Sequence, residues 1–73
     1  MVHTQIRTQL KNTEIVNSVV AWCMKKIGPR LFYLHDKQGG IGWKIVRDRY
    51  SWYVELEDPR MMTLLILSIG DKL

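Results

Sequence analysis

Apolar positions along the chain follow two periods, and the change from one to the other marks the elements. Val2, Thr4, Ile6, Thr8 and Leu10 alternate with His3, Gln5, Arg7 and Gln9. Alternation with β-branched residues predicts a half-buried strand over Val2–Leu10. From Asn12 onward the period becomes helical. Val16, Val19, Val20, Cys23 and Ile27 form one stripe, flanked by Ile15, Trp22 and Met24, with Glu14, Asn17, Ser18, Ala21 and Lys25 opposite. Asn12 and Thr13 both suit an N-cap, because a short side-chain oxygen accepts from the free N–H groups of the first turn. Glu14 meets the positive end of the helix dipole, and Lys25 and Lys26 meet the negative end. Gly28 can take the left-handed conformation that ends a helix, and Pro29 forbids continuation.

After Pro29, Leu31–His35 (LFYLH) reads as a strand. The stretch DKQGGIG carries turn chemistry at Asp36, Gly39, Gly40 and Gly42 and reads as a hairpin loop. Trp43–Arg47 is the next strand, and Asp48–Tyr50 is a polar turn. Ser51–Glu57 alternates again, with Trp52, Val54 and Leu56 inward and Tyr53, Glu55 and Glu57 outward. Asp58 followed by Pro59 opens a second helix, with Met62, Leu65, Ile66 and Ile69 as its stripe and Gly70 as its end. A buried strand is the alternative for residues 61–69, since TLLILSI has β character. Leu64 and Leu67 project from the far side of that helix. A helix apolar nearly all round is one covered all round.

The expected fold is α+β: a two-layer β-α-β-β-β-α domain over residues 1–73, with both helices on one face of an antiparallel-rich four-stranded sheet. The other sheet face would carry Arg7, Gln9, Tyr33, Lys44 and Tyr53.

Size changes the picture. With 73 residues, one copy buries only about 60% of the surface its unfolded chain exposes. Chains this small often lean on disulfides, a metal or a partner subunit. Cys23 is the only cysteine, so no internal disulfide forms, and its place on the apolar stripe makes it a core hydrophobe. His3 and His35 are far apart, no Cys/His cluster has ligand spacing, and no cofactor is implied. Self-association is the remaining route. Trp22, Leu64 and Leu67 are the residues expected to make that contact. The net charge of +4 tilts the choice of further partners toward acidic ones. No apolar run is long enough to span a bilayer, and the N-terminal stretch lacks the apolar core of a signal peptide. An intracellular, cytoplasmic protein with no membrane partner is expected.

WCMKKIGPR at the end of a helix, followed by strands and then WYVELEDPRMMTLLILSIG, resembles short uncharacterised proteins encoded by bacteriophages. The resemblance covers Trp22–Arg30 and Trp52–Gly70. It implies a viral source and carries no activity and no functional residues.

Four groups of residues invite chemistry. His35 and Asp36 could act as a base with its orienting partner, but neighbours on a strand point to opposite faces. Lys37–Gly42 could cradle a phosphate, yet it matches neither the Walker A spacing nor the dinucleotide fingerprint. Glu55, Glu57 and Asp58 could hold a hard cation, but they lack a ligand-dense loop; a solvated face and an N-cap are the plainer reading. The fourth group interleaves cations and aromatics: Tyr33, Lys37, Lys44, Arg47, Arg49 and Tyr53, with Trp43, Tyr50 and Trp52 between them. Cations for phosphates and rings for bases are what single-stranded nucleic acid needs on a sheet. The expected function is a non-catalytic interaction protein, not an enzyme. It would form a homo-oligomer and dock on a host or viral protein, and single-stranded nucleic-acid binding is the alternative.

Overall fold

Asn12 starts the first helix as its side chain predicts. Its backbone is extended, and its Oδ1 accepts from the Ile15 N–H at 3.0 Å. The computed structural model describes residues 6–72, and in chain order these form β1 (Ile6–Leu10), α1 (Thr13–Lys26), β2 (Phe32–Tyr33), β3 (Lys37–Gly40), β4 (Trp43–Asp48), β5 (Ser51–Leu56), α2 (Pro59–Ile69) and a final 3-10 turn (Gly70–Lys72). The strand expected over Val2–Leu10 is seen from Ile6; its first four positions lie outside the described residues.

The five strands make one antiparallel sheet in the order β1-β5-β4-β3-β2. Both helices pack on one face of it. That face presents Leu10, Trp43, Ile45, Val54 and Leu56, which close a single core with Ile15, Val16, Val19, Val20 and Cys23 of α1 and Met62 and Leu65 of α2. Thr8 Oγ1 on the same face donates weakly to Met62 Sδ at 3.4 Å. Trp43 Nε1 donates to the Gly28 carbonyl at 3.0 Å, tying β4 to the segment that leaves α1.

The sheet has one strand more than the sequence suggests. Residues Lys37–Gly40, expected in a loop, pair with β2 on one side and β4 on the other. The two glycines serve close approach there. A Cβ on Gly39 would sit 2.5 Å from the Trp43 carbonyl oxygen and 3.3 Å from the Phe32 ring; one on Gly40 would sit 2.1 Å from the Pro29 oxygen. Glycine usually signals a turn, and here it signals a neighbour too near for a side chain. The strand expected over Leu31–His35 shrinks to Phe32–Tyr33, because the chain turns at 34–37, where the Leu34 N–H donates to the Lys37 carbonyl at 2.7 Å.

Two helix ends also differ from expectation. Gly28 is not left-handed; among the described glycines only Gly42 has positive φ, at 88°, in the two-residue turn between β3 and β4. The Ile27 and Gly28 N–H groups instead share the Cys23 carbonyl at 2.8 and 3.1 Å. Gly70 keeps right-handed angles, so the chain continues into the 3-10 turn. The opening of α2 is as expected: Asp58 caps it and Pro59 takes the first position, where its missing N–H costs nothing. The strand alternative for residues 61–69 is excluded.

Candidate functional site

Two surfaces concentrate the residues that sequence alone singles out: the outer side of α2 and the open face of the sheet. On α2, Met62 and Leu65 point into the core and Ile69 is half-buried. Ile66, expected in that stripe, is 47% exposed, because it lies at the edge of the buried arc. Leu64 is 47% exposed and Leu67 77%. The described residues cover only one side of this helix. The polar residues beside the two leucines are Thr63 and Ser68, both exposed and neutral. Thr63 directs its hydroxyl back to the Pro59 carbonyl at 3.2 Å, leaving the apolar side chains as the prominent feature. Arg60 stands at the start of this side. Its N–H donates to Asp58 Oδ1 at 2.9 Å and its guanidinium lies 3.3 Å from Oδ2. The backbone N–H first, and the guanidinium second, hold the Asp58 carboxyl below its ordinary range.

Trp22, the third expected contact residue, is placed differently. It is half-buried and packs against the core. Its indole N–H is enclosed and finds no acceptor among the described residues.

The open sheet face is organised around Glu55 on β5. Register sets Arg7 on β1 and Lys44 on β4 directly across from it. Arg7 Nε donates to Glu55 Oε2 at 2.8 Å, and Lys44 Nζ lies 3.4 Å from Oε1. The same Arg7 guanidinium sits 4.7 Å from the centre of the Tyr53 ring and 3.8 Å from Asp48. The Glu55 bond, more than any other contact, raises the Arg7 pKa. Glu55 was expected on a solvated face; it does point that way, but long side chains from both neighbours leave it only 7% exposed. Gln9 Nε2 donates to Ser51 Oγ at 3.1 Å nearby.

This arrangement separates the cation and aromatic residues of the sequence motif. Lys37, Lys44 and Tyr53 fall on the open face with Arg7 and Gln9. Tyr33 pairs with Gln38 and Arg47 with Trp52, which puts both on the helix-bearing side. Tyr33 was expected on the open face; Phe32 takes that face instead, because it pairs with Gly39 in line with Lys44, which leaves Tyr33 with Gln38 in line with Ile45. There it stacks under Arg30, whose guanidinium is 4.4 Å from the ring centre and donates to Gln38 Oε1 at 2.9 Å. Arg49 lies in the turn between β4 and β5 at φ 59°, next to the fully exposed Tyr50. The six residues do not share a face.

The remaining candidates fare simply. His35 and Asp36 are exposed in the turn after β2. Lys37–Gly40 is an internal strand, so its backbone groups serve sheet ladders and do not converge on an anion. Burial pushes the Cys23 thiol up to about 12, which leaves almost no thiolate at neutral pH. Among the described residues no group of three His, Cys, Asp or Glu side chains is placed to hold a metal. No helix among them is long and apolar enough to cross a membrane.

The chain matches no family model, no curated protein and no solved structure.

Proposed function

We propose that this chain is a non-catalytic interaction protein and that the outer side of α2 is its contact surface, with a second copy of the chain as the partner. The observation that carries this reading is the exposure of Leu64 and Leu67, neighbours three residues apart on the side of α2 away from the core. Single exposed leucines need no explanation, but a contiguous apolar strip does. Covering a leucine fully is worth about 1.5–3 kcal/mol, and a two-fold contact counts each residue twice.

Charge does not oppose a second copy on this surface. Each chain carries a net +4, so any contact that brought the cations together would be opposed. The middle of the α2 outer side bears no charge at all, from Met61 to Ile69. Single-stranded nucleic-acid binding has less support. Lys44 and Arg7 already face Glu55, and a phosphate backbone on that face would meet Glu55 and Asp48 as well as the cations.

Heteronuclear NMR across a dilution series tests the reading. Amide resonances of Leu64, Ile66 and Leu67 are expected to shift with concentration in the micromolar range, while those of Arg49 and Tyr50 in the distant turn stay fixed. Spectra independent of concentration up to the millimolar range would overturn it.

A further inference from the structure

The spacing of charges along α2 points to one arrangement of the two copies. Arg60, Leu64, Leu67 and Asp71 follow one another at intervals of four, three and four residues. That spacing keeps all four on one side of a helix. Arg60, Leu64 and Leu67 are exposed, and so is Asp71. Gly70 does not break the path: its φ and ψ are −60° and −28°, and its N–H bonds to the Ile66 carbonyl. The helical course therefore carries on to Asp71 in the following 3-10 turn.

The four residues are symmetric about a point midway between Leu64 and Leu67. We infer that two copies pair through α2 in an antiparallel, two-fold arrangement, with Leu64 against Leu67 of the partner subunit and Arg60 against Asp71 of the partner subunit. This rests on the reading of α2 as the self-contact. A two-fold axis at the midpoint makes both leucine pairs and both ion pairs at once, which is the self-complementarity a two-fold interface requires. A parallel pair would do the opposite, setting Arg60 beside Arg60 and Asp71 beside Asp71. It would also align the helix dipoles, whereas the antiparallel pair opposes them. Arg60 already lies 3.3 Å from Asp58 of its own chain, so the contact with Asp71 of the partner subunit is a second one, shared with that pair and weaker for it. The end charges thus set direction and register, and the leucines between them supply the attraction.

Charge reversal tests the arrangement. Arg60→Asp and Asp71→Arg each turn both end contacts from attraction to repulsion. Either is expected to raise the dimer dissociation constant about tenfold at low ionic strength, with a smaller effect in high salt. The double variant Arg60→Asp/Asp71→Arg restores opposite signs and is expected to return to wild-type affinity. An equimolar mixture of the two single variants is expected to form a mixed dimer in preference to either homodimer. Circular dichroism melts of each variant, read at low micromolar concentration, show whether the subunit itself stays folded. A wild-type dimer whose affinity ignores both single reversals would overturn the antiparallel register while leaving α2 self-association standing. A wild type that stays monomeric at every concentration would overturn both.

Discussion

Replacing Trp43 by alanine is expected to remove a large share of the stability of the fold, about 3–5 kcal/mol. A chain of 73 residues has about 4–11 kcal/mol in all. Trp43 is 2% exposed and is the largest of the fully enclosed side chains. It stands on the core face of β4, opposite Leu56 of β5 and Gly40 of β3. Its removal opens a cavity that the flanking strands cannot close without breaking their ladders. It also takes the donor from the Gly28 carbonyl. That bond links the sheet to the exit of α1, so the loss falls on both layers. Trp43→Phe keeps most of the volume and loses the hydrogen bond, and its cost should be well under that of alanine. Urea unfolding followed by circular dichroism gives both values. An alanine variant as stable as wild type would mean that the core is not closed at this point.

Gly40→Ala carries the second large effect, about 3 kcal/mol of destabilisation, from adding a single methyl group. The new Cβ would lie 2.1 Å from the Pro29 carbonyl oxygen, a backbone atom that moves only if the whole segment between α1 and β2 moves. The φ of Gly40 is not positive, so steric room alone is at stake. Gly28→Ala is the internal comparison. Nothing lies within 4 Å of a Cβ there, and its φ is also ordinary. Its effect is expected within about 0.5 kcal/mol of zero. Similar losses from the two substitutions, in the same urea experiment, would show that close packing of β3 on Pro29 does not govern the site.

Gly39 and Gly40 mark where the sequence misleads. A Gly-Gly pair among Asp, Lys and Gln reads as a turn by composition, and the neighbours that actually demand glycine are the Trp43 carbonyl on β4 for Gly39 and, for Gly40, the Pro29 carbonyl eleven positions earlier in the chain. Helix α1 was legible because everything that defines it is local: the Asn12 cap, the stripe from Val16 to Ile27 and the lysines at its end. The alternation of β5 was legible for the same reason. Glu55 was read correctly as facing away from the core, but not as enclosed, because enclosure comes from Arg7 and Lys44 on strands that only the register brings alongside. The same dependence on register divided Tyr33 and Arg47 from Lys37, Lys44 and Tyr53, which composition alone had grouped together.

On α2 the excess of apolar positions was plain from the sequence, and the exposure of Leu64 and Leu67 follows from how little of a short helix one small sheet can cover. Ile66 escaped notice, since a periodic stripe does not reveal where its edge falls. Arg60 and Asp71 escaped as well, although their spacing from the leucines was available. A charge at each end of a helix looks like ordinary surface until the residues between are seen to be uncovered.

Sedimentation equilibrium of the wild-type chain beside Leu67→Ser, at matched high-micromolar concentration, bears most directly on the role of α2. Leu67 is largely exposed, so serine should leave the subunit folded. The wild type is expected to show the mass of a dimer and the variant that of a monomer. Equal masses for the two, whether monomer or dimer, would contradict the assignment of this helix as the contact.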